Sequence, residues 1–218
     1  MIGSQAIQQA ADRFCLPASS PERRLGPCLL FALLIVPSAH AFEIERSQAT
    51  YADKHYQYEL VAIIDAPADR VQAVLRDYEH YPQLDSRILE ARVIERPSSY
   101  VSILQTTVRA CFGPFCRNVK RIERVEESPL ELTAKADPQR SDVKFGETSL
   151  MLSVTNGRTR VSYRTSIVPD FWIPPIPGRR WLLHTLEDST THLFRGVEKR
   201  AQASGDHDAA PIDSGEKP

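Results

Sequence analysis

The chain has 218 residues, of which 42% are hydrophobic and 25% charged, and this composition predicts one globular domain with a single core. Its 27 basic and 28 acidic residues leave a formal net charge of -1, which excludes a global positive field that would attract nucleic acid or an anionic membrane. The apolar content also excludes a disordered chain.

An export signal is predicted near the N-terminus. Two arginines precede an apolar run at 28–36, and Ala39 and Ala41 follow it as a small-x-small cleavage site. The apolar run is about ten residues long, whereas a membrane-spanning helix needs about twenty. We therefore expect residues 1–41 to be a cleaved signal peptide, the mature protein to start at Phe42, and the location to be periplasmic.

The cysteines indicate a disulfide. Two of the four lie in the signal segment, so Cys111 and Cys116 remain in the mature chain. Residues 106–119 predict two strands joined by a four-residue turn at 112–115, which places these cysteines opposite each other. Export to an oxidising compartment favours a bridge between them. The alternatives are a redox dithiol, which usually has a two-residue spacing, and half of a zinc site, for which no second Cys/His pair has ligand spacing.

Strand periodicity dominates the mature chain, with one helix early and one late. A β-branched strand at 56–64 is followed by an acidic cap and a proline, which begin a helix that ends before Pro82. Further strands are predicted at 88–95, 100–110, 116–125, 131–136, 143–155 and 158–168. With a last helix at 179–201, this order predicts an α+β fold.

Asn156-Gly157 is the strongest hairpin signal, because a two-residue turn with positive φ at both positions favours this pair. Counting outward from the turn gives three predicted cross-strand pairs. They are Val154 with Thr159, Leu152 with Val161, and Leu150 with Tyr163. The alternation leaves one apolar and one polar face, as in an antiparallel sheet that is covered on one side.

The last helix is expected to cover that sheet through an apolar stripe. Ser189 and Thr190 interrupt the stripe in its middle. Small residues at core positions leave space for a ligand; the alternative is a surface helix with a polar spot. The stripe consists of Leu182, Leu183, Leu186, Leu193, Phe194 and Val197.

Three segments resemble a known family. They are IDAPADRV at 64–71, DYEHYP at 77–82 and FWIPP at 171–175. Together with the order of elements over 56–201, they resemble the START-like superfamily. The most similar branch is the polyketide cyclase/dehydrase and lipid-transport family, which includes the coenzyme Q-binding START-like proteins. The resemblance implies a helix-grip fold, in which a curved antiparallel sheet of about six to seven strands wraps a long C-terminal helix around an apolar cavity.

The resemblance further implies a lipid or other apolar small molecule as partner, with a quinone-like compound among the candidates. The export signal and the pair Cys111/Cys116 depart from most members, so a cytoplasmic or mitochondrial role does not carry over. The candidate cavity residues are Leu104, Leu150, Leu152, Val161, Tyr163, Phe171, Trp172, Leu186, Ser189 and Thr190.

Convergent catalytic chemistry is not evident from the sequence, and we predict no catalytic residue, cofactor or metal. His184, Asp188 and His192 share one helix face, but that face lies away from the apolar stripe, so we expect solvent exposure. The competing hypothesis is a cyclase- or hydrolase-type enzyme with Tyr163, His80 or Asp77 as acid/base groups. A third is an interaction module of the cell envelope whose pocket has collapsed.

Two features bear on a peripheral membrane contact. The loop at 171–178 is too rich in proline for a regular element, and its aromatic residues either pack as a lid over the cavity or enter a lipid interface. Basic residues also concentrate on two neighbouring strands. They either form a solvated face balanced by nearby glutamates or attract anionic headgroups. These residues are Arg109, Arg117, Lys120, Arg121 and Arg124.

We therefore predict an exported START-like domain at 42–201 that binds an apolar ligand without altering it and does not bind nucleic acid. The segment at 1–22 is long and acidic for a signal peptide, which leaves open a start codon further downstream. The tail at 202–218 is rich in Gly, Asp, Ser and Pro and is predicted to be disordered.

Overall fold

The computed structural model describes residues 42–208, so the predicted signal peptide and the last ten residues of the tail lie outside the described part. The strands are β1 Glu43–Ala52, β2 His55–Ile64, β3 Ile88–Ser98, β4 Val101–Phe112, β5 Phe115–Ser128, β6 Glu131–Ala136, β7 Val143–Thr155 and β8 Arg158–Pro169. The helices are α1 Ala68–Arg76, α2 Tyr81–Leu84 and α3 Gly178–Asp208, with a 3-10 turn at Tyr78–His80.

All eight strands form one open antiparallel sheet in the order β1-β2-β8-β7-β6-β5-β4-β3. The long helix α3 packs against the face that carries Tyr58, Leu60 and Val161. This arrangement confirms the predicted α+β helix-grip architecture, with eight strands instead of six to seven.

The additional strand is β1, which pairs with β2 across a turn at Asp53 and Lys54. Both turn residues have positive φ, 50° and 67°. The sequence analysis missed β1 because an edge strand that is exposed over most of its length has no apolar alternation.

The two predicted hairpins are present. Asn156 and Gly157 have φ values of 50° and 77°, and the strands pair in the predicted register. Cys111 and Cys116 form the predicted disulfide, with their Cα atoms 4.0 Å apart. The loop between them is shorter than predicted, because β4 and β5 continue past the cysteines and leave a two-residue turn at 113–114.

The first helical region is divided, whereas the sequence predicted one helix ending before Pro82. The helix α1 ends at Arg76, and Pro82 lies in the first turn of α2, where a missing backbone N–H has no cost. The last helix continues to Asp208, seven residues beyond its predicted end at Ala201. Among the described helices, none combines the length and apolar character needed to cross a membrane.

The C-terminal half of α3 is tightly packed. Phe194, Val197 and Ala201 have no exposed surface, and they contact the same core as α1 and β2. Gly196 lies against α2, and a Cβ atom there would be 2.5 Å from the carbonyl oxygen of Leu84. Glycine therefore permits the close approach of these two helices.

Candidate ligand-binding site

A cavity of about 260 Å³ lies between the sheet and the N-terminal half of α3. Its volume is near the lower end of the range for small-molecule sites, about 300–1,000 Å³. Most of its wall is apolar, so burial of hydrophobic surface would be the main source of affinity. Apolar side chains from six strands and α3 contribute to that wall, among them Ile88, Leu104, Val108, Val125, Leu132, Leu150, Ile167, Leu182, Leu186 and Leu193.

The structure brings most of the sequence-predicted site residues together at this cavity. Ser189 and Thr190 lie in its wall on α3, at the place where the apolar stripe is interrupted. The two small polar residues of the helix stripe thus mark the position of the cavity. The seven candidates that line the cavity are Leu104, Leu150, Tyr163, Phe171, Leu186, Ser189 and Thr190.

Leu152 and Val161 do not line the cavity, and their assignment is corrected. They form a cross-strand pair one step closer to the Asn156-Gly157 turn than Leu150 and Tyr163. At that level Phe194 and Val197 of α3 pack in the main core, and Phe194 forms the end of the cavity. Alternation along a strand shows which face of the sheet is apolar. It does not show at which strand positions the side chains of α3 fill the space against that face and at which they leave a cavity.

Trp172 lies outside the cavity as well. Its side chain is 79% exposed, and it borders an outer groove that also includes Phe115 and Ile173. Three residues, Ala110, Phe171 and Trp181, line both the cavity and this groove. They therefore form the boundary between the two, and Trp172 lies on its outer side.

Arg121 and Glu123 place opposite charges in the cavity wall. Arg121 donates from Nη2 to Oε1 of Glu123, whereas its buried Nε has no hydrogen-bond partner among the described residues. A quarter of the Arg121 side-chain surface is accessible. Because protein surrounds the guanidinium and Arg121 lines the cavity, this accessible surface faces the cavity and not the bulk solvent. Burial lowers the pKa of Arg121, but the Glu123 carboxylate outweighs this effect and the net pKa is raised. The cavity wall thus includes a permanent cation.

The sequence analysis grouped Arg121 with the surface basic residues and so missed its place in the cavity. A signal for it was present in β5, because Val119, Arg121, Glu123 and Val125 alternate onto one face. The two valines mark that face as the interior. A charged pair at positions i and i+2 between apolar residues is a recognisable sign of a buried ion pair.

Two tyrosines add hydroxyl groups to the wall. Burial raises the pKa of Tyr163, although Arg121 opposes the rise. Burial also raises the pKa of Tyr81, and Tyr163 adds to that rise. The Tyr81 hydroxyl donates to the carbonyl oxygen of Leu75 at 2.6 Å. Both phenols therefore remain protonated at neutral pH.

Hydrogen bonds connect the N-terminal half of α3 to the sheet beside the cavity. Trp181 Nε1 donates to the carbonyl oxygen of Cys111 at 2.8 Å, so the disulfide hairpin contacts the helix directly. Arg87 donates from Nη1 to Oδ2 of Asp188 at 2.6 Å and also binds Asp85. Burial raises the pKa of Asp85, but the hydrogen bonds and charge of Arg87 outweigh it and the net pKa is lowered.

The groups considered for acid/base catalysis do not converge. His80 Nδ1 and Asp77 Oδ1 are 2.6 Å apart, but both side chains are solvent-exposed and neither lines the cavity. His192 is 3.7 Å from Asp188 on an exposed helix face, and His184 is exposed. Within residues 42–208, no cluster of three or more His, Cys, Asp or Glu side chains could hold a metal ion.

No protein-family model and no curated protein matches the sequence. Solved structures do match. The aromatase/cyclase Zhui from Streptomyces sp. R1128 has a TM-score of 0.60 and 15% identity over 69% of this chain and 96% of that one. A STAR-related lipid transfer protein from Xanthomonas axonopodis has a TM-score of 0.52 and 15% identity, covering 72% and 98% of the two chains.

A START superfamily protein from Mycobacterium smegmatis is also similar, with a TM-score of 0.53 and 16% identity over 68% of this chain and 98% of that one. At such identities the similarity shows the fold alone. The chain has the START-like helix-grip fold that the sequence resemblance predicted. Its site combines a small apolar cavity with the Arg121–Glu123 pair and a disulfide hairpin that contacts α3.

Proposed function

We propose that the protein is an exported carrier that binds a lipid or another compact apolar molecule in the cavity and releases it unchanged. The observation that carries this proposal is a mostly apolar cavity whose wall includes the Arg121 cation, paired with Glu123. Apolar walls supply affinity, and a few polar groups, among them Arg121, fix orientation. The ligand therefore has a hydrophobic body and at least one oxygen acceptor, which a quinone or a fatty acyl group provides.

Export is supported by the signal-like segment that ends at Ala41 and by the disulfide, which is stable in an oxidising compartment. The test is to recover the protein from the periplasm and determine the mass of both the polypeptide and the bound molecule. We expect an N-terminus at Phe42 and an extractable apolar compound. A protein that keeps its N-terminal segment and stays in the cytoplasm would refute the export.

The double variant Arg121→Met/Glu123→Gln tests the polar group. Removing Arg121 alone would leave the Glu123 carboxylate buried and uncompensated, so both charges are removed together. Hydrogen bonds to charged groups contribute about 1.5–3 kcal/mol, so affinity for an oxygen-bearing ligand should fall by about tenfold or more. Arg124→Met/Glu126→Gln removes an exposed ion pair of the same spacing on β5, outside the cavity; it is the matched control and should keep the ligand. Undiminished binding by the double variant would exclude Arg121 as the polar contact.

We further propose that the carrier contacts an anionic membrane with the surface beside the outer groove, defined by Phe115, Trp172 and Ile176. These side chains are 76%, 79% and 89% exposed. Arg117 and Arg180 are exposed on the same hairpin and helix end. Aromatic residues favour the lipid interface, and nearby cations favour anionic headgroups. Contact there would bring the boundary between groove and cavity close to the lipid.

The variant Phe115→Ala/Trp172→Ala tests the membrane contact. Loss of two interface-seeking aromatics should lower the partition onto phosphatidylglycerol vesicles by about tenfold, since each 1.4 kcal/mol corresponds to that factor. Tyr100→Ala is the control, because Tyr100 is 68% exposed at the other end of β4. If all three proteins bind equally in a sedimentation assay, this surface does not mediate the contact.

A second candidate function is cyclase-type chemistry, favoured by the Tyr163 phenol in the cavity wall. Its raised pKa makes it a proton donor at neutral pH instead of a base. The extraction experiment distinguishes the two functions. A carrier releases the molecule it took up, whereas an enzyme with Tyr163 as acid yields a product that the Tyr163→Phe variant no longer forms.

A further inference from the structure

Glu198 is a buried carboxylate at the C-terminal half of α3, with only 9% of the residue exposed. Its Oε1 accepts the backbone N–H of Asp65 at 2.9 Å, and its Oε2 accepts the backbone N–H of Phe42 at 3.1 Å. In the part of the chain that the structure describes, no Lys, Arg or His forms a salt bridge with it. The carboxylate thus accepts from two backbone amides and has no cationic partner among the described residues.

The charged groups near Glu198 contact other residues. Glu43, the residue after Phe42, lies 3.8 Å from Arg158, and Arg200 binds Asp77. The guanidinium of Arg195 lies 5.9 Å from the centre of the Phe42 ring. Gln202 donates to the carbonyl oxygen of Asp65 and carries no charge. None of these groups is therefore a cationic partner of Glu198.

We propose that cleavage before Phe42 supplies a cationic partner for Glu198. Hydrolysis of the Ala41–Phe42 peptide bond adds one water molecule, leaving a carboxylate on Ala41 and an amine on Phe42 that is protonated at neutral pH. The nitrogen that now donates to Glu198 as an amide becomes an ammonium with a full positive charge and three donors. At the same position it forms a charge-assisted hydrogen bond, which is roughly twice as strong as a neutral one.

Cleavage before Phe42 therefore strengthens the attachment of this end of the chain to α3. In the uncut chain the start of β1 is held to α3 by an amide, and in the mature chain by an ion pair. The Phe42 ring packs against the main core, so the ammonium is held in place by its own side chain. This inference rests on the proposed export, because it requires a cut at the predicted site.

The test is a double-mutant cycle on chains ending at Pro218. One chain begins at Phe42 with a free amine, released from a fusion partner without additional residues. The other keeps Ala41 in front and so displaces the ammonium by one residue. Glu198→Gln should lower the melting temperature of the Phe42 chain by about 4 °C more than that of the Ala41 chain. Equal decreases would overturn the proposal.

A second measurement does not use the melting temperature, so it also applies if a variant is too unstable for the double-mutant cycle. The α-amine of the Phe42 chain should react with an amine-selective reagent at neutral pH about tenfold more slowly than that of the Glu198→Asp variant, whose shorter carboxylate does not reach it. Similar rates would also overturn the ion pair. Both experiments use a defined N-terminus, so they are independent of where cells cut the protein. A different mature N-terminus would refute the proposed export site and leave the measured coupling intact.

Discussion

Replacing Ser189 by Leu is expected to abolish ligand binding while the protein stays folded. Ser189 lies in the cavity wall, where the helix stripe has no large side chain. A branched apolar side chain there would occupy part of a cavity of about 260 Å³. We expect at least a tenfold loss of co-purified ligand, measured by mass spectrometry, with a melting temperature that is unchanged or higher. Thr190→Phe is a second filling variant with the same expectation.

Val161→Phe is the matched control for this experiment. Val161 has no exposed surface and lies in the filled core, next to the cavity but outside it. Enlarging it should cost about 1–3 kcal/mol of unfolding free energy, as overpacking does. If Ser189→Leu destabilised the protein as strongly as Val161→Phe and left the bound ligand in place, the space beside α3 would be ordinary core.

Gly196→Ala is expected to destabilise the protein by about 2 kcal/mol or more, although it replaces a poor helix former with the best one. Alanine normally stabilises a helix by about 1 kcal/mol over glycine. At this position, however, its Cβ atom would lie 2.5 Å from the carbonyl oxygen of Leu84 and 3.0 Å from its Cα. Both are backbone atoms, so α2 would have to move away from α3.

Ala203→Gly isolates the propensity effect. Ala203 is exposed in the same helix, so this change should cost about 1 kcal/mol through propensity alone. Urea unfolding of the two variants measures both effects on one scale. A Gly196→Ala protein more stable than the parent would mean that the two helices have room to separate.

The local features of the sequence were sufficient for most of the sheet. Asn156 and Gly157 fixed the register of β7 and β8, because few residues other than Asn and Gly accept positive φ in a two-residue turn. The pair Cys111/Cys116 was equally informative, since a short hairpin leaves the two sulfur atoms few other partners. The strand β1 was not predicted, because an exposed edge strand has no alternating apolar pattern to detect.

The cavity was only partly predictable. Ser189 and Thr190 indicated space on the helix, but the extent of that space depends on which helix residues face each strand level. For this reason Leu150 and Tyr163 line the cavity, whereas the next pair, Leu152 and Val161, does not. Arg121 was missed because its charge suggested a surface position, and its interior location depends on burial with Glu123.

The two halves of α3 differ in how they are supported, and this difference has a mechanical consequence. Around Phe194 and Val197 the face of the helix toward the sheet is buried in the main core, so separating the helix from the sheet there exposes that core. Around Leu186 it borders the cavity, and a smaller apolar cluster with Tyr56 and Ile167, together with hydrogen bonds such as that of Trp181, attaches it to the sheet. Separating the first turns of α3 from the sheet therefore costs less free energy than separating its second half.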